Sequence, residues 1–221
     1  RFAYTMTEQQ AEEYKKYFDL PLKVLRKGAN LRAIPTAKHK EVRLIYAGGI
    51  YYGRDLTLKK VADAVRKLRE EGEKVELHIY TTSPLKRKMA VQLNDGVASF
   101  VHPAVSAVEL AQRYAESDIA LHVESFQKRN VLLTRLSFST KIVDCLASGC
   151  AVLAICPPIN AGWRYLKEND GALCIQNPVD VEEAVRELST VPEQRRHYKE
   201  KAVELLRKNH DECRVKQELM E

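Results

Sequence analysis

One stretch of the chain, Ser139 to Ile155, joins residues that can hold an anion to the pattern of a short helix, a glycine turn and a buried strand. Ser139 and Thr140 offer hydroxyls that can cap the helix, and Lys141 places a positive charge in its first turn. Asp144 follows one turn later on the same face. We interpret this helix start as a site for a phosphate and a sugar hydroxyl. The alternative is a capped helix whose lysine is solvated.

A second candidate is the loop that follows the first apolar run. Gly48 and Gly49 allow the backbone to approach a ligand closely, and Arg54 stands just before a helical pattern. These residues suit a clamp for a diphosphate, although turn glycines and a solvated arginine are also ordinary in a loop between a strand and a helix. The spacing is not the GxGxxG fingerprint of dinucleotide-binding proteins.

Further candidates stand where other apolar runs end. Tyr80, Thr81 and His102 can place aromatic rings and a hydroxyl beside a planar base, but tyrosine and threonine are also common in strands. Neither His102 nor His122 has a histidine or acidic partner at metal-ligand spacing, so no metal site is predicted.

Glu124 and Ser125 close the fourth apolar run and precede a polar and basic stretch, residues 127 to 136. We interpret this stretch as a long loop, and loops of this length inside a compact unit are often functional. Its basic residues, Lys128 and Arg129, are assigned to the surface.

Charge and cysteine content limit the classes of function. The 221 residues have a formal net charge of +6, but the 36 basic and 30 acidic side chains are interleaved, and the basic clusters lack the aromatic spacing of a nucleic-acid binder. The five cysteines show no paired short spacing, which favours reduced thiols in the cytoplasm. No apolar stretch of about 18 residues and no leader-like segment is visible, and peripheral contact with a membrane stays open.

The elements that must position these residues alternate between strand-like and helical patterns from about residue 42 to residue 188. This alternation predicts an α/β fold with a doubly wound parallel sheet of about six strands and helical arms at both ends. The predicted strands are Val42 to Ile50, Val75 to Thr81, Val97 to Val101, Ile119 to Val123, Ala151 to Ile155 and Ala172 to Ile175. The predicted helices between them are Leu56 to Glu71, Pro84 to Asn94, Ala107 to Ser117, Ser139 to Ser148, Gly162 to Glu168 and Val181 to Leu188.

The two arms differ from this centre. An amphipathic helix is predicted from Thr7 to Phe18, and a linker from Ile34 to Lys40. A long charged helix is predicted from Pro192 to about Lys208 and is interrupted at Asn209 to Asp211. We expect both arms to lead to a neighbouring domain outside this chain.

Two features of the sequence resemble a known family. One is the glycine loop after the first strand, and the other is a helix that ends in Leu146-Ala147-Ser148-Gly149 before the strand Val152-Leu153-Ala154. The chain resembles the C-terminal, donor-binding domain of GT-B glycosyltransferases of the group 1, or family 4, type. This resemblance implies that residues 1–40 are a connector from an N-terminal domain and that residues 41–190 form a Rossmann-like domain that binds a nucleotide sugar. Residues 191–221 are then a helix that leads back toward the N-terminal domain.

Members of the family hold the donor with a Glu-x7-Glu pair, and Asp144 occupies the position of the second glutamate, which binds the ribose. The first glutamate falls eight residues earlier at Leu136, which cannot hydrogen-bond a sugar. Glu124 resembles the usual first acid but stands twenty residues before Asp144. Either Glu124 has been displaced by an inserted loop or the pair is lost.

A subgroup with a Ser-x-Ser-Thr-Lys start is the closer match, and it implies that Ser139, Thr140 and Lys141 face the diphosphate opposite Arg54. The resemblance thus implies three catalytic residues: Arg54, Lys141 and Glu124. The implied donor-binding residues are Gly48, Gly49, Tyr80, Thr81, His102, Ser125, Ser139, Thr140 and Asp144.

The resemblance implies a cytoplasmic enzyme, located in some cases at the inner face of the membrane, that transfers a sugar from a UDP-type or GDP-type donor, usually with retention. It implies no metal or other cofactor. A saccharide or lipid-linked acceptor would bind through the N-terminal domain, most often in cell-surface polysaccharide synthesis, and this chain alone is expected to bind donor without turnover. Two alternatives stay open: a sugar-nucleotide 2-epimerase of the same fold, and a non-catalytic relative, which Leu136 suggests.

Overall fold

The centre of the molecule is a parallel six-stranded sheet with helices on both faces, and the N-terminal arm holds a parallel two-stranded sheet. The computed structural model describes residues 1–31 and 40–220, so the predicted linker lies outside the described residues except for Lys40. The strands are β1 Ala3–Thr5, β2 Leu22–Val24, β3 Val42–Ala47, β4 Val75–Thr81, β5 Ser99–Pro103, β6 Ile119–Val123, β7 Ala151–Ile155 and β8 Leu173–Ile175. The helices are α1 Glu8–Tyr14, α2 Arg54–Glu70, α3 Arg87–Leu93, α4 Ala107–Ala115, α5 Lys128–Thr134, α6 Lys141–Leu146, α7 Ala161–Glu168, α8 Val181–Thr190, α9 Pro192–Asn209 and α10 Glu212–Met220.

The strand order β5-β4-β3-β6-β7-β8 confirms the doubly wound fold predicted from the sequence. From β3 the chain moves outward through β4 to β5, returns to β6 on the other side of β3, and continues outward through β7 to β8. All pairings are parallel, so the carboxyl ends of the six strands lie at one edge of the sheet. The order in which strands are added to the sheet changes direction between β3 and β6. Ligands bind at such a switch point in folds of this kind.

The inner strands β6 and β7 are buried on both faces because they are nearly continuous apolar runs. Leu44 belongs to the hydrophobic cluster that includes α2 and α8, whereas its neighbour Ile45 belongs to the cluster with α6 and α9 on the opposite face. Both side chains are buried. A shift of one residue in strand register would exchange these two environments, so burial on both sides holds the strand ends in place.

Three elements in the first half of the chain are shorter than the sequence predicts. β3 ends at Ala47 because Gly48, with a φ of +148°, leads the backbone out of the sheet. α1 ends at Tyr14 instead of Phe18, and α3 starts only at Arg87. The strands β1 and β2 have three residues each, which is too few to show a pattern in the sequence.

The stretch from 127 to 136 is not a loop, and that prediction was wrong. It contains α5, which begins after Gln127. The Ser125 hydroxyl accepts hydrogen bonds from the Gln127 amide (3.2 Å) and from Asn130 Nδ2 (3.3 Å), and these bonds hold the turn before the helix. Leu132 and Leu133 are exposed, so the apolar residues do not form the single stripe by which amphipathic helices are recognised.

The two arms meet at the break between α9 and α10. The Ala29 amide donates to the His210 carbonyl (2.8 Å), and His210 Nδ1 donates to the Lys27 carbonyl (2.8 Å). His210 Nε2 accepts from the Tyr165 hydroxyl on α7 (2.8 Å). Within the described residues, no helix is both long and apolar enough to cross a membrane. That both arms lead to a further domain stays a prediction.

The buried His210 predicts a loss of stability in mild acid. Burial lowers its pKa from 6.5 to about 4, so the unfolded chain takes up a proton at a higher pH than the folded chain does. The stabilisation is therefore complete above pH 6.5 and declines as the pH falls toward 4, by up to about 3 kcal/mol. Urea unfolding of the wild type and of His210→Gln, which cannot titrate, should give free energies that converge over this range, and parallel curves would contradict the prediction.

Candidate functional site

Lys141 and the loop after β3 meet at the switch point of the sheet. A Cβ atom placed on Gly48 would lie 2.5 Å from Cδ of Lys141, so the lysine side chain runs directly over this glycine. The Gly48 amide donates to the Tyr80 carbonyl at the end of β4 (2.9 Å), which fixes the start of the loop. The structure thus brings together two residues that are almost a hundred positions apart in the sequence.

Arg54 and Glu124 form a buried ion pair beside this contact. Arg54 Nε lies 3.0 Å from Oε2 and Nη2 lies 2.8 Å from Oε1 of Glu124, and only 12% and 4% of the two side chains are exposed. The Thr57 hydroxyl donates to the Glu124 carbonyl (2.8 Å). Bidentate pairing of this kind fixes the direction of a guanidinium. Glu124 therefore orients Arg54, and in this arrangement both of its carboxylate oxygens are engaged.

The Lys141 ammonium has no acceptor among the described residues. Burial and the nearby Arg54 charge lower its pKa, and Glu124 and Asp144 only partly oppose this effect. No hydrogen bond or ion pair to Lys141 occurs within residues 1–31 and 40–220. A half-buried cation held next to a second cation is suited to an incoming anion, because the anion removes the repulsion between them.

Asp144 lies one turn along α6 from Lys141 and pairs with the N-terminal arm. Its Oδ1 atom is 3.0 Å from Lys27 Nζ, and both side chains stay partly exposed. The family resemblance implies a ribose-binding role for Asp144 and none for Lys27, because a contact between residues so far apart in the sequence leaves no local pattern. A ribose that approaches Asp144 therefore meets this lysine as well.

Ser139 and Thr140 do not cap α6, and this expectation was wrong. Thr140 has helical backbone angles (φ −60°, ψ −19°), whereas a capping residue needs an extended backbone to return its hydroxyl to the following amides. The Ile142 amide donates instead to the Ser139 carbonyl (3.0 Å). Within the described residues neither hydroxyl makes a hydrogen bond, and Thr140 is exposed, so its hydroxyl is accessible to a ligand.

Gly49, Thr81 and Ser125 take part in the loops around the site. The Gly49 carbonyl accepts from the Tyr46 hydroxyl (2.7 Å), and the Thr81 hydroxyl accepts from the Ser83 amide (3.0 Å). The Ser125 hydroxyl holds the turn before α5, as described above. All three therefore have structural contacts, and their assignment to donor binding stays a prediction.

Tyr80 and His102 line a separate cavity of about 430 Å³ on the face of the sheet that α4 covers. Their rings stack with centroids 4.7 Å apart. His102 Nε2 lies 3.0 Å from His78 Nδ1, and His78 Nε2 lies 3.2 Å from Glu76 Oε2. The contact between His102 and His78 could not be predicted from their spacing in the sequence, because it depends on the register of β4 against β5. Nowhere in the described part of the chain do three or more metal-ligating side chains form a cluster that could hold an ion.

A family model of glycosyl transferase-like proteins matches residues 57–221, which is more than half of the chain. The chain belongs to this glycosyltransferase family. The match includes the start of α6 and begins just after Arg54, so the glycine loop lies outside it. A search of curated proteins finds no significant match.

Solved structures of glycosyltransferases share the fold of this family member. A TarM variant from S. aureus, in complex with fondaparinux, alpha-GlcNAc-glycerol and UDP, superimposes with a TM-score of 0.75 at 15% identity, over 98% of this chain and 42% of TarM. Pneumococcal O-GlcNAc transferase GtfA, in complex with UDP and GlcNAc, gives 0.69 at 13% identity, over 98% and 43%. WaaG, a glycosyltransferase involved in lipopolysaccharide biosynthesis, gives 0.66 at 17% identity, over 92% and 58%. The chain thus spans about half the length of these proteins and has the Rossmann-like fold of GT-B enzymes.

Proposed function

We propose that this chain binds a nucleoside diphosphate sugar at the switch point between β3 and β6 and is the donor-binding part of a glycosyltransferase. The observation that carries the proposal is the Lys141 ammonium, which has no partner in the described part of the chain and lies on the Gly48 loop near the oriented Arg54 guanidinium. Two cations at the carboxyl ends of parallel strands suit a diphosphate. Family membership makes a nucleotide sugar the natural source of that diphosphate.

In the proposed reaction, the bond between the sugar and the diphosphate breaks, the sugar forms a new bond to an acceptor hydroxyl oxygen, and the hydroxyl proton is released. Negative charge grows on the leaving diphosphate. Lys141 and Arg54 stabilise this charge because they are already in place and partly shielded from water. Glu124 acts by holding Arg54 in place. Asp144 binds the ribose with one of its carboxylate oxygens while it keeps its contact with Lys27. Retention of configuration is part of the proposal, supported by the family resemblance.

The acceptor would be a saccharide or a lipid-linked saccharide, bound mainly by residues outside this chain. The proteins similar in fold include one whose structure contains alpha-GlcNAc-glycerol and one involved in lipopolysaccharide biosynthesis, which supports a role in cell-surface glycan synthesis. We expect the 221-residue chain alone to bind donor without transferring the sugar. No metal or other cofactor is proposed.

Donor binding is measured most directly by calorimetry and thermal shift with UDP, GDP, UDP-N-acetylglucosamine and GDP-mannose. We expect at least one of them to bind, and a ligand at 100 times its dissociation constant stabilises the fold by about 2.7 kcal/mol. Inorganic pyrophosphate at the same ionic strength is the control for unspecific anion binding. If none of the four nucleotides stabilises the protein at millimolar concentration, or if pyrophosphate matches the best of them, the proposal is wrong.

A further inference from the structure

His122 is a buried residue whose polar atoms are not satisfied. It is the fourth residue of β6 and is fully buried, and neither ring nitrogen has a hydrogen-bond partner in the described residues. The buried His210, in contrast, uses both of its nitrogens. Because nearly all buried polar groups in proteins find partners, an exception of this kind needs an explanation.

Stability does not explain this histidine. A buried donor or acceptor without a partner keeps its full desolvation penalty, and an apolar ring of the same shape would avoid that cost. A residue that is unfavourable for folding is more easily explained by a ligand that completes its hydrogen bonds.

The imidazole lies close enough to Lys141 and Arg54 for their charges to act on it. A Cβ atom placed on Gly162, in the first turn of α7, would be 3.4 Å from His122 Nε2 and 2.5 Å from Cδ1 of Ile142. Ile142 follows Lys141 on α6, so the ring is enclosed between the starts of two helices. Both side chains are fully buried, so a ligand can reach the ring only if the Ile142 side chain rotates away from it.

The charges around His122 decide what kind of group it can bind. Burial, together with the positive charges of Lys141 and Arg54, lowers its pKa to about 3, so the ring is neutral at physiological pH. A neutral imidazole has one donor and one acceptor, and a hydroxyl group, which can both donate and accept, can partner either nitrogen. The nearby cations, Lys141 and Arg54, are suited instead to phosphate oxygens, which only accept hydrogen bonds.

We propose that His122 hydrogen-bonds a hydroxyl of the transferred sugar while Lys141 binds the neighbouring phosphate. The inference rests on the proposed function, since it assigns the sugar end of the same donor. It makes His122 a binding residue that distinguishes a nucleotide sugar from the nucleoside diphosphate without the sugar.

His122→Phe removes both nitrogens and keeps the ring, and it should separate the two kinds of ligand. We expect the dissociation constants of UDP-N-acetylglucosamine or GDP-mannose, whichever the wild type binds, to rise about tenfold, while that of UDP or GDP changes less than about twofold. His122→Gln keeps a donor and an acceptor and should restore part of the sugar affinity. His197→Phe, the same change at an exposed position on α9, is the matched control and should bind both ligands like the wild type.

The inference is overturned if His122→Phe binds the nucleotide sugar as tightly as the wild type, or if both ligands weaken equally. If His122→Phe does not fold, His122→Gln is the deciding variant. If it loses affinity for the nucleotide sugar and for UDP or GDP by the same factor, the assignment of His122 to the sugar is contradicted. Failure of the proposed function has a different signature, since the wild type itself then binds none of the four nucleotides.

Discussion

Replacing Lys141 by methionine should weaken the binding of UDP or GDP by about 1.5 to 3 kcal/mol, which is roughly 10-fold to 150-fold in the dissociation constant. The structure gives the reason: the ammonium has no acceptor among the described residues and lies over Gly48 beside Arg54. A diphosphate would supply the missing acceptor. Methionine has a similar length and shape but no charge, so it can follow the same path over the glycine.

The same substitution should leave the fold intact, and this distinguishes a ligand-binding lysine from a structural one. Removing an unpaired, half-buried charge relieves its desolvation penalty, so the melting temperature should stay equal or rise. Lys67→Met on α2 is the control, because Lys67 is exposed and its ion pair among the described residues is a surface contact with Glu182. Unchanged nucleotide affinity in Lys141→Met, measured by calorimetry, would remove this residue from the site.

Glu124→Gln should lower the free energy of unfolding by about 3 to 5 kcal/mol. The substitution keeps the shape of the side chain but leaves the Arg54 guanidinium buried beside a neutral amide. The pair is a bidentate contact with very little exposure to water, so the Coulomb interaction that offsets desolvation is lost while the desolvation of Arg54 stays. Urea denaturation monitored by circular dichroism measures this loss.

A surface ion pair provides the matched control for Glu124. Glu71→Gln breaks a contact with Arg186 in which both side chains are well exposed, and it should cost far less stability than Glu124→Gln because solvent screens the pair. Adding Arg54→Met to Glu124→Gln should recover part of the stability, since the unpaired charge is then gone as well. If Glu124→Gln and Glu71→Gln cost the same, the buried pair does not stabilise the fold as we infer.

The sheet could be predicted because each of its strands carries its own signal. An apolar run such as Ala151–Ile155 is buried on both faces wherever it is placed in a parallel sheet, so its pattern does not depend on distant residues. The helix α5 lacked such a signal. Its start is fixed by hydrogen bonds from Gln127 and Asn130 to Ser125, and its leucines face solvent.

The candidate site was only partly predictable for the same reason. Lys141 was singled out by its place at a helix start and Arg54 by its place in the loop after β3, and the fold brings helix starts and loops of this kind together at one edge of the sheet. The ion-pair partner of Asp144 could not be predicted, because Lys27 approaches it from the distant N-terminal arm. The unsatisfied nitrogens of His122 are visible only in three dimensions, since a histidine within an apolar strand has no distinguishing pattern.

The contact between Gly48 and Lys141 also limits how the two positions can evolve. Any side chain at position 48 would take the space of the lysine methylenes, and the positive φ there disfavours residues other than glycine. In a lineage that loses the lysine, a side chain at position 48 no longer meets the lysine methylenes. Only the positive φ then disfavours residues other than glycine. Among descendants of a common ancestor, departures from glycine at position 48 should therefore be concentrated in sequences that have already lost the lysine at position 141.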